Sequence, residues 1–285
     1  METFYLSQGD GRYLPTQHTA GPWTPDAQHF GPPSALLVRE LESLPDDDER
    51  KLARVTVEIL GPAPLSELTV SSEVVRSGRS VELLSATLAA DDRVVARASA
   101  WRLAVSDTTE VSTTPTSTTP TSVLPSVDEC APAEWPDGWL GGYLDAMEWR
   151  AARGAVTTAG PAAVWARQRV ALVDDEQPSP LQRVFTVADS GSGVSQELDP
   201  RHWLFINTEL TVHVQREPVG EWIGLDAATT VGPRGTATAR STLHDVRGRS
   251  RGGAGTAGAP PLRGGRPAPP NSFGDTELTF ATLIH

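Results

Sequence analysis

A chain of 285 residues with 38% hydrophobic residues has enough apolar side chain for two ordinary domains or one large one. Its formal charge of −12 repels phosphate backbones and anionic lipid heads, which argues against nucleic acid and membrane surfaces as partners. The single cysteine, Cys130, excludes an intramolecular disulfide and a cysteine-rich metal site. No apolar run approaches the roughly 20 residues that cross a bilayer, and Met1-Glu2-Thr3-Phe4 has neither a basic nor an apolar leader region, so a cytoplasmic protein is expected.

In chain order, the first regular element is a helix over 32–44, PPSALLVRELESL. Prolines suit its first turn, Pro45 follows its end, and Leu37, Leu41 and Leu44 form an apolar stripe. Four Val-rich strands follow, at 53–60, 68–76, 80–90 and 93–104, punctuated by Ser77-Gly78 and Asp91-Asp92. Residues 106–134 are rich in Thr, Ser and Pro, with too little apolar area to offset the entropy of ordering them, and read as a linker.

The second half repeats that order. Strands are predicted at 143–150 and 162–173, then a helix at 179–189. Ser179 is its N-cap, Pro180 its first residue and Gln182 the partner in a capping box. Leu181, Val184, Phe185 and Ala188 fall on one face, and Ser190-Gly191 is expected to stop the helix. Strands return at 203–215, 221–230 and 236–245. A tail from about Arg249 is Gly, Ala, Pro and Arg without period and reads as disordered or loosely docked, with 276–284 able to add a short edge strand. A lone apolar helix followed by long strands, twice over, implies an α+β chain in which each curved antiparallel sheet wraps one helix. The divisions are 1–105, a linker at 106–134, 135–248 and a tail at 249–285.

Three stretches carry a family resemblance. Gly21-Pro22-Trp23 through QHFGPPSALLVRELE, then PSPLQRVFTVADSGSGVS, then DPRHWLFINTELTVHVQREPVGEWIGLDAATT resemble the acyl-CoA thioesterase II superfamily, over roughly 1–105 and 135–248. The resemblance implies a double hotdog fold, hydrolysis of acyl-CoA to a free acid and CoA, and homo-oligomerisation. It also implies a water-activating set made of an Asp on the second helix, a Ser or Thr on the next strand and a Gln on the last strand. The Asp falls on Asp189, the Ser/Thr near Phe205 and the Gln on His244. The tail differs from the apolar last strand so implied; a diverged terminus and a shifted reading frame both account for it.

Asp189 is the central candidate. It follows Phe185 by four residues, beside the buried stripe and at the negative end of the helix dipole, where a carboxylate suited to take a proton from water would sit. The alternative is a helix-terminal Asp bonded to the Ser190–Gly193 turn. Asn207 and Thr208 are the polar residues nearest the missing hydroxyl; an Asn207 amide can hold water or the thioester oxygen, or be an ordinary edge amide. His244 can replace the missing amide or be a solvent-facing strand end, and Asp245 has the same ambiguity. Gly31 opens a helix, so its N–H can hold a developing oxyanion, with His29 a second polar group in the loop or a surface residue. No His-Glu-x-x-His, Gly-x-Ser-x-Gly or Walker loop is present, so no metal or cofactor is expected. Acyl-thioester hydrolysis leads, a non-catalytic acyl-thioester binding protein is the rival, and a hotdog hydratase ranks last for want of its Asp-His motif.

Overall fold

The computed structural model describes residues 2–22, 24–46, 50–108, 124–139, 141–199 and 202–246, and the backbone of 272–284. The first half contains β1 (Thr3–Gly9), β2 (Arg12–Pro15), α1 (Gly31–Glu42), β3 (Arg50–Ile59), β4 (Leu68–Arg76), β5 (Val81–Ala90) and β6 (Arg93–Ala104). The second contains β7 (Ala131–Pro132), β8 (Met147–Arg153), β9 (Ala162–Gln168), β10 (Ala171–Val173), α2 (Pro180–Ala188), α3 (Gly191–Val194), β11 (Trp203–Val214), β12 (Ile223–Val231), β13 (Thr236–His244) and β14 (Ser272–Ile284). This is the expected α+β double hotdog. Its two sheets are hydrogen-bonded edge to edge into one 14-stranded sheet, ordered β10-β1-β2-β4-β5-β6-β3-β11-β14-β13-β12-β9-β8-β7.

Two pairings join the halves. β3 runs antiparallel to β11, with Val57 opposite Leu210 and Val55 opposite Val212, all four buried. β10 leaves the second half to pair in parallel with β1, Thr3 opposite Ala171. The segment expected as one strand at 162–173 therefore breaks, because β9 serves β8 and β12 while β10 serves the other sheet. The β1–β2 hairpin has no alternating burial over most of its length, which explains why its period was silent in the sequence.

α1 lies on β4, β5 and β6, and α2 on β9 and β12, while the helices also touch each other. Burial on two sides explains why α1 is enclosed nearly all round, from Gly31 to Val38 and again at Leu41, beyond the single stripe expected. Fully burying Leu36, Leu37 and Leu41 contributes about 1.5–3 kcal/mol each. The helices are antiparallel: Gly31 of α1 abuts Thr186 near the end of α2, and Glu42 accepts from Ser179 Oγ and from Gln182 Nε2 at 2.7 Å at its start.

Two expectations change. Residues 276–284 were expected at an edge; the backbone of 272–284 instead runs inside the sheet, between β11 and β13, while 249–271 lie outside the described residues. Part of the segment assigned to the linker is packed: Leu124 and Cys130 are buried with Ala163 and Trp165 on the outer face of the second sheet. Among the described residues, no helix is long and apolar enough to cross a membrane.

Candidate active site

α2 forms as its sequence dictates. Ser179 Oγ accepts from Gln182 N at 3.1 Å and Gln182 Oε1 accepts from Ser179 N at 3.2 Å, a complete capping box, with Pro180 in the first turn. The far end differs from expectation. No left-handed glycine stops the helix; Asp189 and Ser190 keep right-handed helical angles and the chain turns into the single turn of α3. That turn holds the Asp189 carboxylate inside the molecule, 5% exposed, at the junction of the halves.

Two elements meet this carboxylate. Asn207 of β11 donates from Nδ2 to Asp189 Oδ1 at 2.8 Å, and accepts at Oδ1 from Ser192 Oγ at 3.2 Å. The loop before α1 brings His29 Nδ1 to 3.5 Å from Asp189 Oδ2, with the imidazole only 12% exposed. Burial pushes the His29 pKa down, against the opposing pull of Asp189, so the ring is neutral near pH 7. Gly31 N–H donates to His29 Nδ1 at 3.0 Å, which places the ring proton on Nε2. Among the described residues Nε2 has no hydrogen-bond partner, on a side chain that is not fully enclosed. The arrangement offers a fixed carboxylate and, beside it, one free N–H donor.

Gly31 is therefore not a free oxyanion donor. Its N–H is taken by His29, and Pro32 and Pro33, next along the helix, have no N–H to offer. Glycine is needed for another reason: a Cβ there would overlap the Thr186 carbonyl where α1 and α2 approach. Thr208 also lies apart. A bulge between Asn207 and Glu209 in the pairing with β14 leaves its side chain exposed.

His244 is neither solvent-facing nor in the site. Ala239 and Leu243 of β13, with Ile223, Leu225 and Ala227 of β12, line the core that contains α2. His244 pairs with Gly224, so strand parity points it to the opposite face, where Trp165 and Leu124 pack. It is 1% exposed with both ring nitrogens unpartnered, and burial pushes its pKa down to about 4. Asp245 accepts from Arg216 Nη2 at 2.9 Å and from Val219 N at 2.7 Å, a tie between loop and strand. Phe205, at the expected hydroxyl position, is a buried core residue.

The sequence reading missed Tyr143, because it placed a strand from 143 where the strand starts at Met147. Tyr143 stacks on His29 with ring centroids 3.7 Å apart and planes 5° from parallel. Ser192 was passed over as part of a turn. Among the described residues no three metal-ligating side chains converge. A cleft of about 160 Å³ opens at the other end of the helix pair, lined by Glu42, Arg50, Lys51, Leu181 and Glu217 among others, remote from Asp189.

Comparison with known proteins agrees with this architecture. Residues 19–103 match the model of the acyl-CoA thioesterase N-terminal domain, and 127–250 match that of the C-terminal domain. Among curated proteins, no sequence matches. A hotdog-fold protein of unknown function from Alicyclobacillus acidocaldarius superposes with a TM-score of 0.72 at 13% identity, over 98% of this chain and 96% of that one. The acyl-CoA thioesterase II TesB2 of Mycobacterium marinum superposes at 0.63 with 14% identity, over 99% and 96%. The tesB protein of Mycobacterium avium subsp. paratuberculosis does so at 0.64 with 12%, over 98% and 96%. At these identities the structures establish the fold, while the two family models together span most of the chain: it belongs to the acyl-CoA thioesterase family of thioester hydrolases.

Proposed function

We propose that this protein hydrolyses an acyl-CoA thioester to a free acid and CoA by attack of water activated by Asp189. The observation that carries the reading is a buried carboxylate held by Asn207 on one oxygen and facing His29 on the other, at the junction of the two halves. Asp189 Oδ2 takes a proton from water as the oxygen attacks the thioester carbon. The carbonyl oxygen gains negative charge and accepts from His29 Nε2–H, a neutral donor that burial keeps from protonating. When the carbon–sulfur bond breaks, the proton on Asp189 passes to the thiolate, regenerating the carboxylate. Asn207, steadied by Ser192, fixes the plane of the carboxylate throughout.

The test is thiol release from acyl-CoAs of several chain lengths. Asp189→Ala is expected to lower kcat by about 10²–10⁴; unchanged turnover would remove Asp189 from the mechanism. Phe205 at the family's hydroxyl position and His244 on the far face favour a second reading, an acyl-thioester binding protein without turnover. Acyl-CoA that raises the melting temperature of the wild type and is recovered intact would establish it instead.

A further inference from the structure

We propose that Tyr143 is a positioning residue for the thioester chemistry, holding the His29 ring in register with Asp189 by stacking on the one and closing the helix that carries the other. The proposal rests on the roles given above to His29 and Asp189. The Tyr143 side chain is fully buried, and its hydroxyl donates to Thr186 O at 2.8 Å and is 3.0 Å from Ser190 Oγ. The last carbonyls of a helix have no partner within it. Tyr143 supplies one for Thr186, three residues before Asp189, and its contact with Ser190 lies one residue after. One rigid side chain thus touches the α2 terminus on both sides of the carboxylate and covers one face of the imidazole.

The strap that carries Tyr143 is itself tied to the loop that carries His29. Tyr143 N donates to Ala20 O at 2.9 Å, and His29 N donates to Thr19 O at 2.8 Å. Gly142 permits this approach: it has a φ of +58°, and a Cβ would overlap the Ala20 carbonyl. Phe4 at 6.4 Å and Trp149 at 6.0 Å between ring centroids pack around the phenol and leave it little freedom to rotate. Neither Asp189 nor Asn207 orients the imidazole plane. The Gly31 N–H anchors one ring atom, Nδ1, and the stack on Tyr143 fixes the plane about that anchor, and with it the direction of the Nε2–H.

The experiment compares Tyr143→Leu, which removes ring and hydroxyl, with Tyr143→Phe, which keeps the ring. Each full-length protein is assayed for kcat and KM with acyl-CoA, and the ¹⁵N shifts of the His29 ring are recorded at pH 7. Tyr143→Leu is expected to lose about 30-fold in kcat with KM changed less than about threefold, and its two His29 nitrogen shifts to move together as the unsupported ring tilts off the Gly31 N–H and the tautomers mix. Tyr143→Phe is expected to keep the two shifts apart and lose about fivefold in kcat, through the released α2 terminus. A folded Tyr143→Leu protein with wild-type kcat, or with unmoved His29 shifts, overturns the proposal. If Tyr143→Leu does not fold, wild-type kcat in Tyr143→Phe overturns it. The shifts do not depend on turnover. A wild type that releases no thiol while Tyr143→Leu mixes the tautomers refutes the thioesterase reading and leaves the clamp standing. An active wild type, silenced by Asp189→Ala and untouched by Tyr143→Leu, refutes the clamp alone.

Discussion

At each end of the antiparallel helix pair a helix N-terminus meets a helix C-terminus, and the two ends use that meeting differently. At one end Glu42, in the last turn of α1, accepts from Ser179 and Gln182 at the start of α2, so a carboxylate lies where the dipole of α2 favours it. At the other end Asp189 lies at the C-terminus of α2, where the dipole disfavours it. It faces a neutral imidazole that has one donor to spare. The first end has its polar groups matched and serves the fold. The second holds its carboxylate against the helix dipole with the Asn207 amide and keeps one donor unmatched, an arrangement suited to a charge that appears only during reaction.

Breaking the second end should damage turnover more than stability. His29→Phe keeps a stacking ring and removes the Nε2–H; it should lower kcat by about 10²–10³ in thiol-release assays. Its stability by urea unfolding should fall by about 1–3 kcal/mol, the cost of leaving the buried Gly31 N–H without an acceptor. The acid sensitivity of the fold sharpens the contrast, because one source of it is outside both ends. His244 has a pKa pushed down to about 4 by burial, against an ordinary 6.5 when unfolded. The unfolded chain therefore binds more protons between those values. Its contribution to stability is complete above about 6.5, falls as the pH drops, and is gone near 4, a loss of about 3 kcal/mol. The pH dependence of urea unfolding should flatten in His244→Leu. It should also flatten in His29→Phe, because burial shifts His29 in the same direction. The smallest effect belongs to the capping end. Glu42→Ala leaves Ser179 and Gln182 without their acceptor at an exposed position and should cost about 1 kcal/mol by urea unfolding, with kcat within about twofold of wild type. A kcat loss larger than the stability loss explains would show that the two ends are coupled.

Local grammar made the helices legible. Prolines in the first turn of each and the Ser179–Gln182 box act within a few residues, so they survive in any context. The long strands announced themselves by alternation. What depends on distant partners did not: the parallel pair of β1 and β10, and the insertion of β14 between two strands already predicted. The candidate site followed the same rule. Asp189 and Asn207 were singled out through the family resemblance, with the helix end and the strand position agreeing. The loss of Gly31 as a donor was written in the two prolines after it, and His244 in the parity that sets it opposite Leu243. Tyr143 left no such trace. Its role comes from a turn that presses it against a loop more than a hundred residues earlier in the chain.

The place of β14 also sets an order on synthesis. β11 and β13 are complete once residue 244 has been made, yet the strand that pairs with both begins at Ser272. Through that interval each carries a row of open backbone hydrogen-bonding groups on its inner edge. Such edges are what other chains pair with. The first half has all its strands except β10 by Ala104 and can fold early. The half that holds the carboxylate is the last to close, and the nascent protein is most exposed to wrong partners just before its site is assembled.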